Sequence, residues 1–89
     1  MTIPELCRHT GISYRMGHYA VRQGLIDADG TGGTGNPFII DSAETERVTR
    51  AAAISRIYGF QVADVLRWQL EGRVIEDHSE RLTLAPLAA

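Results

Sequence analysis

Two helix starts and two helix stops fall within the first 24 residues, and this spacing confines the segment to two short helices around a tight turn. Thr2-Ile3-Pro4-Glu5 places a capping threonine three residues before a glutamate, with a proline in the first turn, where its missing N–H costs nothing. The helix is predicted to run to about His9 and to break at Thr10-Gly11. Ser13 caps a second helix, which runs through Arg15, Met16, Tyr19 and Arg22 and stops at Gly24. Two helices joined by a short glycine-containing turn form a helix-turn-helix pattern, here over about residues 2–24.

Leu25-Ile26 and Phe38-Ile39-Ile40 are short apolar runs separated by a stretch rich in Gly, Asp and Thr. They read as a two-stranded ribbon, or wing, over about residues 25–40 with a long mobile tip. Asp41-Ser42-Ala43-Glu44 is a second capping box. It opens a helix of about 42–58 with Val48, Ala51, Ala52, Ile54 and Tyr58 on its apolar side. A fourth helix covers about 61–71, with Val62, Val65, Leu66 and Leu70 inward. The predicted class is therefore mainly α, a winged helix-turn-helix of about four helices. It occupies residues 1–72 as one domain, and 73–89 form a tail, apolar at Val74-Ile75 and Leu82-Thr83-Leu84 and expected to fray at its end.

The 89 residues carry 9 Arg, no Lys and 11 acidic side chains, for a formal net charge of −2. The total argues against nucleic acid, but the distribution argues for it. Residues 1–26 hold Arg8, Arg15 and Arg22 against Glu5 alone, while Asp27, Asp29 and Asp41 follow without a compensating base. Positive charge gathered at one end of a chain is where a phosphate-facing surface belongs.

In a helix-turn-helix, early exposed side chains of the second helix reach base edges in the major groove. Those positions hold Ser13, Tyr14, Arg15 and His18, with Arg22 one turn further on. Arg15 suits a bidentate contact with a guanine edge and Arg22 a phosphate. Met16 and Tyr19 are expected on the inward side. In the wing, Thr31, Gly32, Gly33, Thr34 and Asn36 form the candidate second contact, because glycine lets the backbone approach phosphate closely. Trp68 lies off the inward stripe of the fourth helix and, with Val74 and Ile75, is a candidate interaction surface. The bland reading of the arginines is a solvated helix face.

Thr10-Gly11-Ile12-Ser13, Arg15, Tyr19, Arg22 and Gly24-Leu25-Ile26 resemble the start of the MerR-type winged helix-turn-helix. Asp41-Ser42-Ala43-Glu44 and Tyr58-Gly59-Phe60-Gln61 resemble that family's third-helix cap and its Gly-Phe junction before the fourth helix. The resemblance covers about residues 2–71 and implies DNA binding by the second helix and the wing. Three features depart from it. His18-Tyr19-Ala20 stands where the family has Arg-Tyr-Tyr, the run Asn36–Ile40 lacks the wing arginine, and no long dimerising helix or effector domain is expected. The chain thus resembles the minimal branch, which includes small regulators and phage excisionases.

Other signals are set aside on physical grounds. Gly30-Thr31-Gly32-Gly33-Thr34-Gly35 matches the letters of the dinucleotide fingerprint, but Asn36-Pro37 and an apolar run follow where a helix must begin. Cys7 and His9 diverge on a helix, so no metal site is expected, and Cys7 is better placed as a small apolar residue beneath the helix pair. No nucleophile–base set is visible, and the acidic cluster Glu76-Asp77-Glu80 with His78 reads as solvated tail, so no catalytic residue and no cofactor are expected. The single cysteine, the absence of a signal-peptide pattern and the absence of an apolar run of spanning length point to a cytoplasmic, nucleoid-associated protein with no membrane partner.

The leading expectation is a small transcriptional regulator that binds double-stranded DNA. A recombination directionality factor that bends attachment-site DNA is the alternative, and a protein-interaction module on the same scaffold is a third. Expected partners are DNA, RNA polymerase or an integrase, and further copies of the chain. With so little positive charge, one protomer makes few phosphate contacts, so copies are expected to assemble head to tail on repeated sites.

Overall fold

The computed structural model describes residues 1–76 and 81–83. Four helices come first, α1 (Ile3–Thr10), α2 (Tyr14–Arg22), α3 (Ser42–Tyr58) and α4 (Val62–Glu71), and then two short strands, β1 (Val74–Glu76) and β2 (Arg81–Thr83). The described part is mainly helical, as the capping signals predict.

The starts of α1, α2 and α3 have local causes. Thr2 and Glu5 form the full reciprocal box, with the Glu5 N–H donating to the Thr2 hydroxyl at 3.4 Å and the Thr2 N–H to the Glu5 carboxylate at 3.0 Å. The Thr2 N–H and hydroxyl hold the Glu5 carboxyl below its ordinary value. Gly11 ends α1 in the left-handed region, at φ 79°. Ser13 caps α2 by accepting the Met16 N–H at 3.1 Å. Asp41 caps α3 by accepting the Glu44 N–H at 2.8 Å. The second half of the expected box is missing there, because the Glu44 side chain is used elsewhere.

The core lies between α1, α3, α4 and the apolar runs that flank the loop. Leu6, Ile26, Ile40, Val48, Val65 and Leu66 are fully buried, and side chains of this kind contribute about 1.5–3 kcal/mol each. The expected apolar face of α3 is as read, with Val48, Ala51, Ala52 and Ile54 buried and Tyr58 packed at its margin. In α4 the stripe is rotated: Val65, Leu66 and Gln69 are buried, Val62 is half-buried, and Leu70 is 51% exposed. Trp68, expected off the inward stripe, is half-buried and packs against the core.

Gln69 faces inward because it answers a buried arginine. Arg47 is 3% exposed. Its guanidinium donates to the carbonyl of Leu25, to the Gln69 side-chain oxygen at 3.0 Å and to both carboxylate oxygens of Glu44 at 2.7 and 2.8 Å. The Gln69 amide returns a bond to the Arg47 carbonyl at 3.0 Å, and Glu44 also accepts the Asp27 N–H at 2.6 Å. Burial pushes the Glu44 carboxyl up, but the bonds from Arg47 and Asp27, with the Arg47 charge, hold it below its ordinary value. One cluster thereby ties α3, α4 and the chain leaving α2 together, with no buried side-chain polar atom left unsatisfied among the described residues.

Between Gly24 and Asp41 the expected two-stranded ribbon is present only as isolated bridges. Asp29 and Ile39 exchange backbone hydrogen bonds at 2.8 and 2.9 Å, and on the other side Ile40 donates to Met1 at 2.7 Å. Pro37 has no N–H to extend the ladder, and Gly30, Gly32 and Gly35 all adopt positive φ. The regular strands lie instead in β1 and β2, which pair antiparallel with Val74 opposite Thr83, Ile75 opposite Leu82 and Glu76 opposite Arg81. Asp77, His78, Glu80, Leu84 and the frayed end expected of the tail lie outside the described residues. Among the described residues no helix is long and apolar enough to cross a membrane.

Candidate nucleic-acid interface

The orientation of α2 follows from one close approach. A Cβ on Gly17 would sit 2.9 Å from the Cys7 sulfur and 3.1 Å from Ile3 Cγ2, so only glycine lets the two helices meet at this distance. Gly17 and Ala20 are the buried residues of α2, and Cys7 is half-buried beneath it, as the sequence predicts. Desolvation there pushes the Cys7 thiol up.

With Gly17 and Ala20 inward, the opposite side of the helix is set by its 100° rotation per residue. Arg15, Tyr19 and Arg22, at i, i+4 and i+7, form its central stripe. Tyr19 is 46% exposed, which corrects the expectation that it faces inward. The spacing from Arg15 and Arg22 was the signal that could have placed it. Tyr14, 57% exposed, and half-buried His18 flank the stripe. The Ser13 side chain is engaged as the cap.

The charge on this face is unspent. Among the described residues Arg8, Arg15 and Arg22 make no ion pair or hydrogen bond. Elsewhere Arg47 is neutralised by Glu44 at 2.7 Å, Arg67 by Asp64 at 3.0 Å and Arg73 by Glu71 at 2.8 Å, while Arg56 of α3 donates to the Thr10 carbonyl at 3.1 Å and, like half-buried Arg50, makes no ion pair among the described residues. Arg8, Arg15 and Arg22 on the helix pair, with Arg56 against the end of α1, leave positive charge without ion pairs at this part of the molecule.

The glycine-rich loop stands beside this face. The Phe38 ring lies where a Gly32 side chain would need space. His18 bridges the two elements, with its ring centroid 4.4 Å from Tyr14 and 6.5 Å from Phe38, both edge-to-face. The tip is closed on itself: Thr31 and Gly32 donate to the Asn36 carbonyl at 3.3 and 3.0 Å, Asn36 donates to the Gly33 carbonyl at 3.0 Å, and the Asn36 amide donates to the Thr31 hydroxyl at 3.3 Å. Thr31, Gly32, Gly33, Thr34 and Asn36 are all exposed. Gly33 is bridged to Asn36, and the N–H groups of Thr34 and Gly35 have no hydrogen-bond partner among the described residues. Successive free N–H groups of this kind suit an anion. After the glycines the chain continues as Asn36-Pro37, and α3 begins only at Ser42, so the dinucleotide fingerprint lacks its helix.

The candidate interaction residues sit elsewhere. Trp68 meets Phe60 edge-to-face at 5.1 Å, Phe60 stacks on Tyr58 at 5.9 Å, and the Arg73 guanidinium lies 5.9 Å from the Trp68 ring centroid. Val74 and Ile75 open β1. Comparison of the chain with family models, with curated proteins and with solved structures returned no match.

Proposed function

We propose that this protein is a sequence-specific double-stranded DNA-binding protein that acts as a small transcriptional regulator. The fold reading that goes with it is a winged helix-turn-helix similar to the MerR type, with α2 in the major groove and the glycine-rich loop as the wing. The observation that carries the proposal is the stripe Arg15–Tyr19–Arg22. Two unpaired arginines and an exposed tyrosine lie on one side of a short helix whose other side is held against α1 through Gly17. A solvated face has no need of exposed aromatics beside unpaired guanidiniums, whereas a groove-reading face uses both.

Arg15, near the start of the helix, pairs with a guanine edge, and Arg22 with a phosphate. The free N–H groups of Thr34 and Gly35 take a second phosphate, in place of an arginine. The test is selection of bound duplexes from a randomised DNA pool, followed by titration of the selected duplex at several salt concentrations. A defined sequence emerges, and log affinity falls linearly with log salt at a slope of only a few ions, in keeping with so few free arginines. A pool that stays random, or no salt-dependent binding, contradicts the proposal.

A further inference from the structure

The rings that join α2 to the glycine-rich loop also wall a cleft of about 250 Å³. Ile3 and Pro4 close one side, Tyr14 and His18 form the α2 wall, and Pro37 and Phe38 form the loop wall. Its volume lies just under the range of about 300–1,000 Å³ typical of drug-sized ligands, so it fits one ring or two fused rings. The walls are flat: two aromatic side chains and an imidazole, arranged edge-to-face, with two prolines between them. Such surfaces hold a planar π-system by stacking on one side and edge contacts on the other.

Of the three polar side chains that line it, the Thr2 hydroxyl is held by Glu5 and two are free. Neither the Tyr14 hydroxyl nor the His18 imidazole has a hydrogen-bond partner among the described residues, and no Arg, Asp or Glu lines the cleft. An occupant is therefore uncharged, planar and equipped with a hydrogen-bonding edge. It also touches both α2 and the loop, and it uses Tyr14 and His18, which belong to the candidate DNA face.

We infer that this cleft binds a small, neutral, planar heteroaromatic molecule of the size of indole or a free nucleobase, and that this ligand competes with DNA. The binding site stands on the cleft alone. The competition rests on the proposed function.

The experiment titrates the ¹⁵N-labelled full chain, without DNA, with indole and with adenine, following amide shifts. Saturable shifts at Tyr14, His18, Gly32 and Phe38 are expected, with α4 unmoved. Phe38→Ala and the surface variant Tyr14→Ala each weaken binding by about threefold to tenfold, the loss of one aromatic contact. No saturation, or equal affinity in the folded Tyr14→Ala variant, overturns the site. A short single-stranded oligoadenylate is the second arm. Tighter binding than free adenine through the same residues assigns the cleft to a nucleic-acid base and overturns the free-ligand reading. In the last arm the better probe raises the apparent Kd for duplex DNA. Unchanged DNA affinity with the cleft saturated overturns the competition, and failure of the duplex to bind at all removes the proposed function while the ligand titration stands.

Discussion

At Gly17 a methyl group would meet the Cys7 sulfur at 2.9 Å and Ile3 Cγ2 at 3.1 Å. Alanine is the better helix former by about 1 kcal/mol, but forcing a methyl into a packed contact costs about 1–3 kcal/mol. Gly17→Ala is therefore expected to be destabilising by up to about 2 kcal/mol overall, and Cys7→Ala in the same chain to restore part of the loss by vacating the sulfur's space. Urea denaturation of the two single variants and the double variant measures the coupling, and strict additivity contradicts the account. Glu44 is the second residue with a local consequence. Its carboxyl titrates below its ordinary value of 4.5 in the folded protein, so the stability it contributes is complete above that value. That contribution is lost as pH falls through the lower, folded value. The stability gap between wild type and Glu44→Gln should hold from pH 7 to about pH 5 and narrow as the pH is taken below 4.5 in chemical denaturation. A gap that stays constant means the charge on Glu44 contributes nothing. Neither contact was legible in the sequence. Gly17 reads as a weak helix residue and Arg47 as a surface charge, because both roles are set by residues brought near only by folding.

The elements were legible where their ends are local. Thr2, Ser13 and Asp41 each cap within three residues, so α1, α2 and α3 are written in short stretches of chain. The loop between α2 and α3 was not, because its bonds run to Met1 and across a glycine turn, and periodicity carries no information about either partner. The rotation of α4 was missed for a related reason: Gln69 looks polar and outward until Arg47 is placed beside it. The loop tip yields a prediction at this scale. Residues 31–36 bond mainly to one another and are exposed. Deleting Thr31 to Thr34 should leave cooperative folding intact and lower the melting temperature by only a few degrees, since shortening a closed loop changes its entropy slowly. DNA affinity should fall by a similar factor on all sequences, because N–H groups read phosphate and not bases. A loss of cooperative melting, or a sequence-selective loss of binding, contradicts this.

For the whole molecule the net charge is −2, yet among the described residues Arg8, Arg15 and Arg22 of the helix pair and Arg50 and Arg56 of α3 make no ion pair, while Arg47, Arg67 and Arg73 are paired. Under the proposed function, a protomer of this kind should make few phosphate contacts and bind one site with modest affinity. Head-to-tail assembly on DNA remains the expected remedy, since such contacts are heterologous and propagate, with the duplex supplying effective concentration. Sedimentation should show a monomer or a weak dimer without DNA, and titration of one-site and two-site duplexes should show cooperativity on direct repeats. A tight dimer that prefers inverted repeats contradicts it. The most direct measurement of the central claim compares Arg15→Ala with Arg22→Ala on the selected duplex and on scrambled DNA. Arg15→Ala should lose about 1–3 kcal/mol on the selected site and relax preference at one base pair. Arg22→Ala should weaken both duplexes alike and reduce the salt slope by about one ion. Wild-type affinity in both variants means that α2 is not the face that meets DNA.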